Sequence, residues 1–69
     1  MKPFEDVKKA ILFVDSYAGN PEDLELPISD GLQDPMGMNM AIITDRVLAK
    51  GIMPNGFIQK EGYRIYKYK

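Results

Sequence analysis

The chain has no cysteine and no histidine among its 69 residues. Disulfides, thiolate nucleophiles, Ser-His-Asp and Cys-His pairs, imidazole bases and the usual Cys/His zinc sites are therefore excluded. Carboxylate, amine, hydroxyl and backbone chemistry is left. Long hydrophobic runs are missing too. The longest, Ala10 to Val14, is far short of the roughly 18–20 residues a membrane span needs. Glu5 and Asp6 stand where a secretory signal would be basic, and Asp15 interrupts any hydrophobic region, so no signal peptide is expected and a cytoplasmic location is the default expectation. Absence of cysteine fits a reducing compartment.

What is present is globular in composition, 45% hydrophobic and 28% charged, which is too apolar for a disordered chain. A chain of this length makes one domain at most, spanning 1–69, with a core that supplies about 3–5 kcal/mol unless stapled.

Punctuation frames two helices. In the first, Pro3 suits the opening turn, Glu5 and Asp6 suit the positive end of the dipole, and Phe4, Val7, Ile11, Val14 and Ala18 share one face before Gly19-Asn20-Pro21 stops it. Leu12, Phe13 and Tyr17 widen the apolar stripe, which predicts a central helix covered from more than one direction. In the second, Asp34 caps, Pro35 takes the first helical position, Met36, Met40, Ile43 and Val47 form the core face, and Gly51 follows the last turn. Gly37 weakens the first turn and allows a start one or two residues later.

Between the helices, Leu24, Leu26 and Ile28 alternate with Glu25 and Pro27. That pattern suits a short edge strand, with Pro27 acceptable only where no ladder donor is needed. After Gly51, Pro54-Asn55-Gly56 reads as a turn, and the residues either side of Glu61-Gly62 read as a β-hairpin. A two-residue loop there pairs Lys60 with Tyr63, Gln59 with Arg64, Ile58 with Ile65 and Phe57 with Tyr66. The fold class expected is α+β, two helices packed on a small antiparallel sheet of two or three strands, the C-terminal β-hairpin with or without a short edge strand over 24–28.

Charge is segregated along the chain. Residues 1–49 carry a net −5 and residues 50–69 a net +4, with no Lys or Arg between Lys9 and Arg46. The acidic connection must be solvated or paired with groups distant in sequence.

Acid–base catalysis has candidates in Asp15, Glu22, Asp23, Glu25 and Asp30. It also needs a cleft that dehydrates one member of a pair, and a domain of this size seldom has one. Gly37 and Gly51 are isolated and make no phosphate loop. Met36, Met38 and Met40 with Met53 have the thioethers of a soft Cu(I) site. Their alternate spacing gathers sulfurs only on extended chain, so core filling is the expected role. Asp30-Gly31-Leu32-Gln33-Asp34 lacks the spacing of a calcium loop. No enzyme activity, cofactor or metal is expected.

The expected function is binding: a protein–protein interaction or regulatory accessory protein working through its C-terminal hairpin. Ile58, Lys60, Tyr63, Arg64, Ile65, Tyr66 and Lys67 are the candidate partner-binding residues. The other reading is nucleic-acid binding, with Lys60, Arg64 and Lys67 on phosphates and the tyrosines stacked on bases; an isoelectric point of ≈ 5.2 works against it. The order of helix then hairpin is shared with winged helices, but the long connection before the second helix does not fit helix-turn-helix spacing. A hairpin with an apolar pair on each face and an unpaired edge points to a homodimer, formed through that edge or one of the faces; the alternative is a monomer in which the connection from Leu24 to Ile28 pairs with one edge and folds its leucines over the spare face.

Overall fold

Asp6, rather than Pro3, opens the first helix. In the computed structural model, which describes residues 2–20 and 23–69, the Asp6 carboxylate accepts the N–H groups of Lys8 (2.7 Å) and Lys9 (3.4 Å), and α1 runs Val7–Ser16. Phe4 cannot be helical because its backbone is committed elsewhere: its N–H donates to the Pro27 carbonyl (2.8 Å), and its carbonyl accepts from Ser29 (2.9 Å). Ala10 and Val14 are the buried positions of α1. Leu12 is 67% exposed and Ala18 is exposed, so α1 is covered on one side, not several. Phe13 and Tyr17 pack on the margin of the core. Pro21 and Glu22, expected as a helix stop and a candidate carboxylate, lie outside the described residues.

Strand β1, Glu25–Ser29, is the third strand that the alternation of Leu24, Leu26 and Ile28 predicts. All three are buried. The carbonyl of Pro27 and the N–H of Ser29 both point to Phe4, so the Pro27 nitrogen faces the outer edge, where a missing donor costs no ladder bond. A 3-10 turn at Asp30–Leu32 follows, with the Ser29 hydroxyl accepting from Gly31 (3.2 Å).

Helix α2 spans Met38–Leu48. Gly37 sits at φ +71°, a left-handed conformation that stops the helix from reaching back to Pro35. Asp34 still serves the N-terminus, reaching across the turn to accept from Met38 (2.9 Å) and Asn39 (2.8 Å). Ile43 and Val47 are fully buried and Met40 packs against them, but Met36, expected on the core face, is 84% exposed because it precedes the helix. At the far end Gly51, φ +79°, returns its N–H to Leu48, and the N–H of buried Ile52 returns to Val47. This is the Schellman closure, hydrophobic residue included.

Strands β2, Pro54–Gln59, and β3, Tyr63–Tyr68, form the hairpin. The sheet is antiparallel in the order β1-β3-β2, an α+β architecture with β3 in the centre. Phe57 pairs with Tyr66, Ile58 with Ile65 and Gln59 with Arg64, the register that a Glu61-Gly62 loop dictates. Pro54-Asn55-Gly56 is not a separate turn. Pro54 lies opposite Tyr68 and Phe57 opposite Tyr66, three steps against two, so one extra residue bulges from β2, and Gly56 at φ +81° accommodates it.

Leu26 and Ile28 of β1 join Ala10, Val14, Ile43 and Val47 in one core, with Tyr68 buried and Tyr66 half-buried against it. Residues directly opposite in a ladder share a face, so Arg64, Tyr66, Phe57 and Gln59 point to the helix side. Ile58, Tyr63, Ile65 and Lys67 point away from it. Every residue of β2 is exposed, which means the helices cover β1 and β3 and leave β2 projecting.

Candidate interaction surface

The seven candidate residues of the hairpin divide between two faces and a turn. Arg64 and Tyr66, on the helix side, belong to a closed network. Arg64 donates to the Gln59 side-chain oxygen (2.8 Å) and the Tyr66 hydroxyl (3.1 Å), and its guanidinium lies 4.6 Å from the centre of the Phe57 ring. Phe57 in turn meets Tyr66 in a tilted ring contact, centres 5.4 Å apart. Gln59 donates to the carbonyls of Lys60 and Tyr63, so the network braces the hairpin from its turn to its middle. Lys60 sits at the turn.

Ile58, Tyr63, Ile65 and Lys67 occupy the open face. Lys67 lies 3.8 Å from Glu25, its neighbour across the ladder, which is how the basic end of the chain meets its acidic middle. Ile58 is 41% exposed, and Tyr63 and Ile65 are half-buried. Between Phe13 and Tyr17 of α1 and Tyr63 and Ile65 of β3 this face holds an open groove of ≈ 470 Å³, lined also by Pro27, Asp23 and Glu25.

Three further carboxylates, Asp15, Asp34 and Asp30, have structural partners. Arg46 donates to both oxygens of Asp15, a hydrogen-bonded pairing that holds the Asp15 carboxyl below its usual range and the Arg46 guanidinium above its own. The Lys50 ammonium donates to the carbonyls of Asp15 (3.3 Å) and Tyr17 (3.0 Å), a cation placed at the negative end of α1. The backbone donors Asn39 and Met38 hold the Asp34 carboxyl low. Asp30 receives a bond from Gln59 (3.4 Å). Among the described residues no charged side chain is buried, and no group of three carboxylates is arranged to hold a metal. Of the methionines, Met36, Met38 and Met53 are exposed and Met40 packs on the core.

One surface is absent from the sequence-based candidates. Met38, Ile42 and Leu48 stand exposed on α2, recurring with Ala41 at helical spacing on the side opposite Ile43 and Val47. The signal was present in the composition of Met38–Leu48, which has apolar residues on both faces. The charged residue on that outer side is Asp45, while Arg46 is turned to Asp15, so α2 presents no cationic face to a phosphate backbone.

No family model matches the chain, and comparison with curated proteins and with solved structures gives no match. Among the described residues no helix is long and apolar enough to cross a membrane.

Proposed function

We propose that the chain is a small non-enzymatic binding module, a cytoplasmic interaction or regulatory accessory protein that holds a protein partner on the open face of its C-terminal hairpin. The observation that carries this reading is the placement of Ile58, Tyr63 and Ile65 on the sheet face opposite the core, where Phe13 and Tyr17 at the margin of α1 wall a groove beside Tyr63 and Ile65. Apolar and aromatic side chains with little cover are what protein interfaces use as anchors. The nucleic-acid reading loses support from the same geometry. Arg64 is held by Gln59, Tyr66 and Phe57, Lys67 is paired with Glu25, and the two lie on opposite faces of the sheet.

Tagged protein retained on beads and mixed with extract of its source cells tests the assignment, with Ile65→Lys and Tyr63→Ala compared against the unaltered chain. A discrete protein held by the unaltered chain and lost from both variants, each still folded by circular dichroism, is the expected result. Retention unaffected by either change would refute the open face as the binding surface. A bound species that is nuclease-sensitive and whose binding constant falls linearly with salt concentration on a log–log plot would establish the nucleic-acid reading instead.

A further inference from the structure

We propose that the outer edge of β2 is a contact between two copies of this chain, paired antiparallel about a two-fold axis at Ile58. The inference rests on the hairpin as the contact surface and adds its partner, its register and its symmetry.

The two edges of the sheet are treated differently. Phe4 closes the outer edge of β1 with two backbone bonds. No strand among the described residues lies against the outer edge of β2, although that strand exposes Phe57 and Ile58. An edge left open in this way is a template for a further strand.

Ladder parity decides which groups that edge offers. The Lys60 N–H donates to the Tyr63 carbonyl (2.8 Å), so Lys60 faces β3, and alternation turns Ile58 inward with it and Gln59 and Phe57 outward. At the other end Met53 exchanges two bonds of 2.9 Å with Lys69. Pro54, the next residue, therefore turns outward a nitrogen without a hydrogen. With the bulge between Pro54 and Phe57, the regular part of the edge is reduced to the N–H and C=O groups of Phe57 and Gln59.

One antiparallel register uses all of them. Phe57 of each copy lies opposite Gln59 of the other, Ile58 lies opposite Ile58, and the four outward groups of each copy are satisfied by four N–H···O bonds in total. A slip of one residue sets outward groups against inward ones. The charges agree with self-pairing: no charged side chain occurs between Gly51 and Gln59, and Lys60 falls opposite Gly56 of the second copy, so no like charges are opposed. The joined sheet sets Ile65, Ile58, Ile58 and Ile65 of the two copies in one continuous row on the open face, where neighbouring side chains shield one another along the row.

The test is sedimentation equilibrium on the full chain made by chemical synthesis, between about 10 µM and about 1 mM, with a second preparation carrying an N-methyl group on the Phe57 amide. That group removes an outward donor and leaves every side chain and every bond to β3 in place. The unaltered chain is expected to rise from 7.8 kDa toward twice that mass, and the N-methylated chain and Ile58→Lys to stay at the monomer mass with unchanged circular dichroism. A monomer mass for the unaltered chain throughout would overturn the proposal. So would a dimer indifferent to the N-methyl group, which would place the contact elsewhere, such as the outer face of α2. If Ile58→Lys fails to fold, the N-methylated chain decides alone. A monomeric N-methylated chain that still captures a protein through Tyr63 and Ile65 separates this contact from the binding face, and a dimer that captures none refutes the binding face alone.

Discussion

Arg46 on α2 grips Asp15 in the last turn of α1 through both carboxylate oxygens. The pair ties the two helices together at their C-terminal ends, where Lys50 adds bonds to the carbonyls of Asp15 and Tyr17. Because the hydrogen bond from Arg46 holds the Asp15 carboxyl below its ordinary 3.8, the stability it contributes is present above that value and is lost as pH falls through the folded one. Acid titration of the denaturation midpoint is expected to show a decline beginning below about pH 4, with a shallower decline in Asp15→Asn. Arg46→Lys, which keeps the charge but not the two-pronged geometry, is expected to fall between them.

Asp34 carries the second prediction. Its carboxylate accepts the first N–H groups of α2 from four and five residues upstream, and loss of such a cap in a domain of this length corresponds to a drop in melting temperature of about 4–8 °C. Calorimetry of Asp34→Ala is expected to show that drop and Asp34→Asn a smaller one. An unchanged melting temperature in Asp34→Ala would mean that water serves the helix end equally well.

Turn and ladder chemistry set by neighbouring residues is largely legible in the sequence, whereas contacts between distant segments and the left-handed conformations of Gly37 and Gly56 are not. The hairpin register followed from two adjacent residues, Glu61 and Gly62, with Gly62 at φ +87°, and the position of Pro27 in β1 followed from the donor it lacks. The start of α1 did not, because Pro3-Phe4-Glu5 suits a helix and only β1, more than twenty residues away, draws the Phe4 backbone into the sheet. Met36 was misplaced because the helical spacing was projected through Gly37, whose left-handed φ is not visible in the spacing of side chains. For the candidate surface, alternation divided Ile58 and Ile65 from Phe57 and Tyr66 correctly. It could not show that Glu25 would meet Lys67, since that contact depends on β1 joining β3.

The core offers a contrast between neighbours in composition. Leu26 is fully buried between β3 and the helices, while Leu12 stands 67% exposed on α1. Truncation of Leu26 to alanine is expected to cost about 2–5 kcal/mol in urea denaturation, enough to unfold most of so small a domain at room temperature. Leu12→Ala is expected to stay within about 0.5 kcal/mol of the unaltered chain. Equal effects of the two would contradict the one-sided cover of α1.

Tyr68 closes β3 at 3% exposure, and its burial raises the phenol above its ordinary 10.0, with the Thr44 hydroxyl acting in the opposite direction and Tyr66 adding to the rise. A phenol is neutral when protonated, so a folded value above the unfolded one means that the folded state holds its proton more tightly. The stability linked to it is complete below the unfolded value and is lost as pH rises through the folded value. In an alkaline titration followed by tyrosinate absorbance, one of the four tyrosines is expected to ionise after the other three and together with the loss of helical circular dichroism. Tyr68→Phe removes the ionisable group while keeping the ring, and because the buried hydroxyl has no partner within hydrogen-bond distance among the described residues the change is expected to be neutral or stabilising near neutral pH. It is expected to abolish the late ionisation and to extend the folded range to higher pH. A late step that survives in Tyr68→Phe would assign the resistant phenol to Tyr17, Tyr63 or Tyr66 and would place the tightest packing of the sheet away from the end of β3.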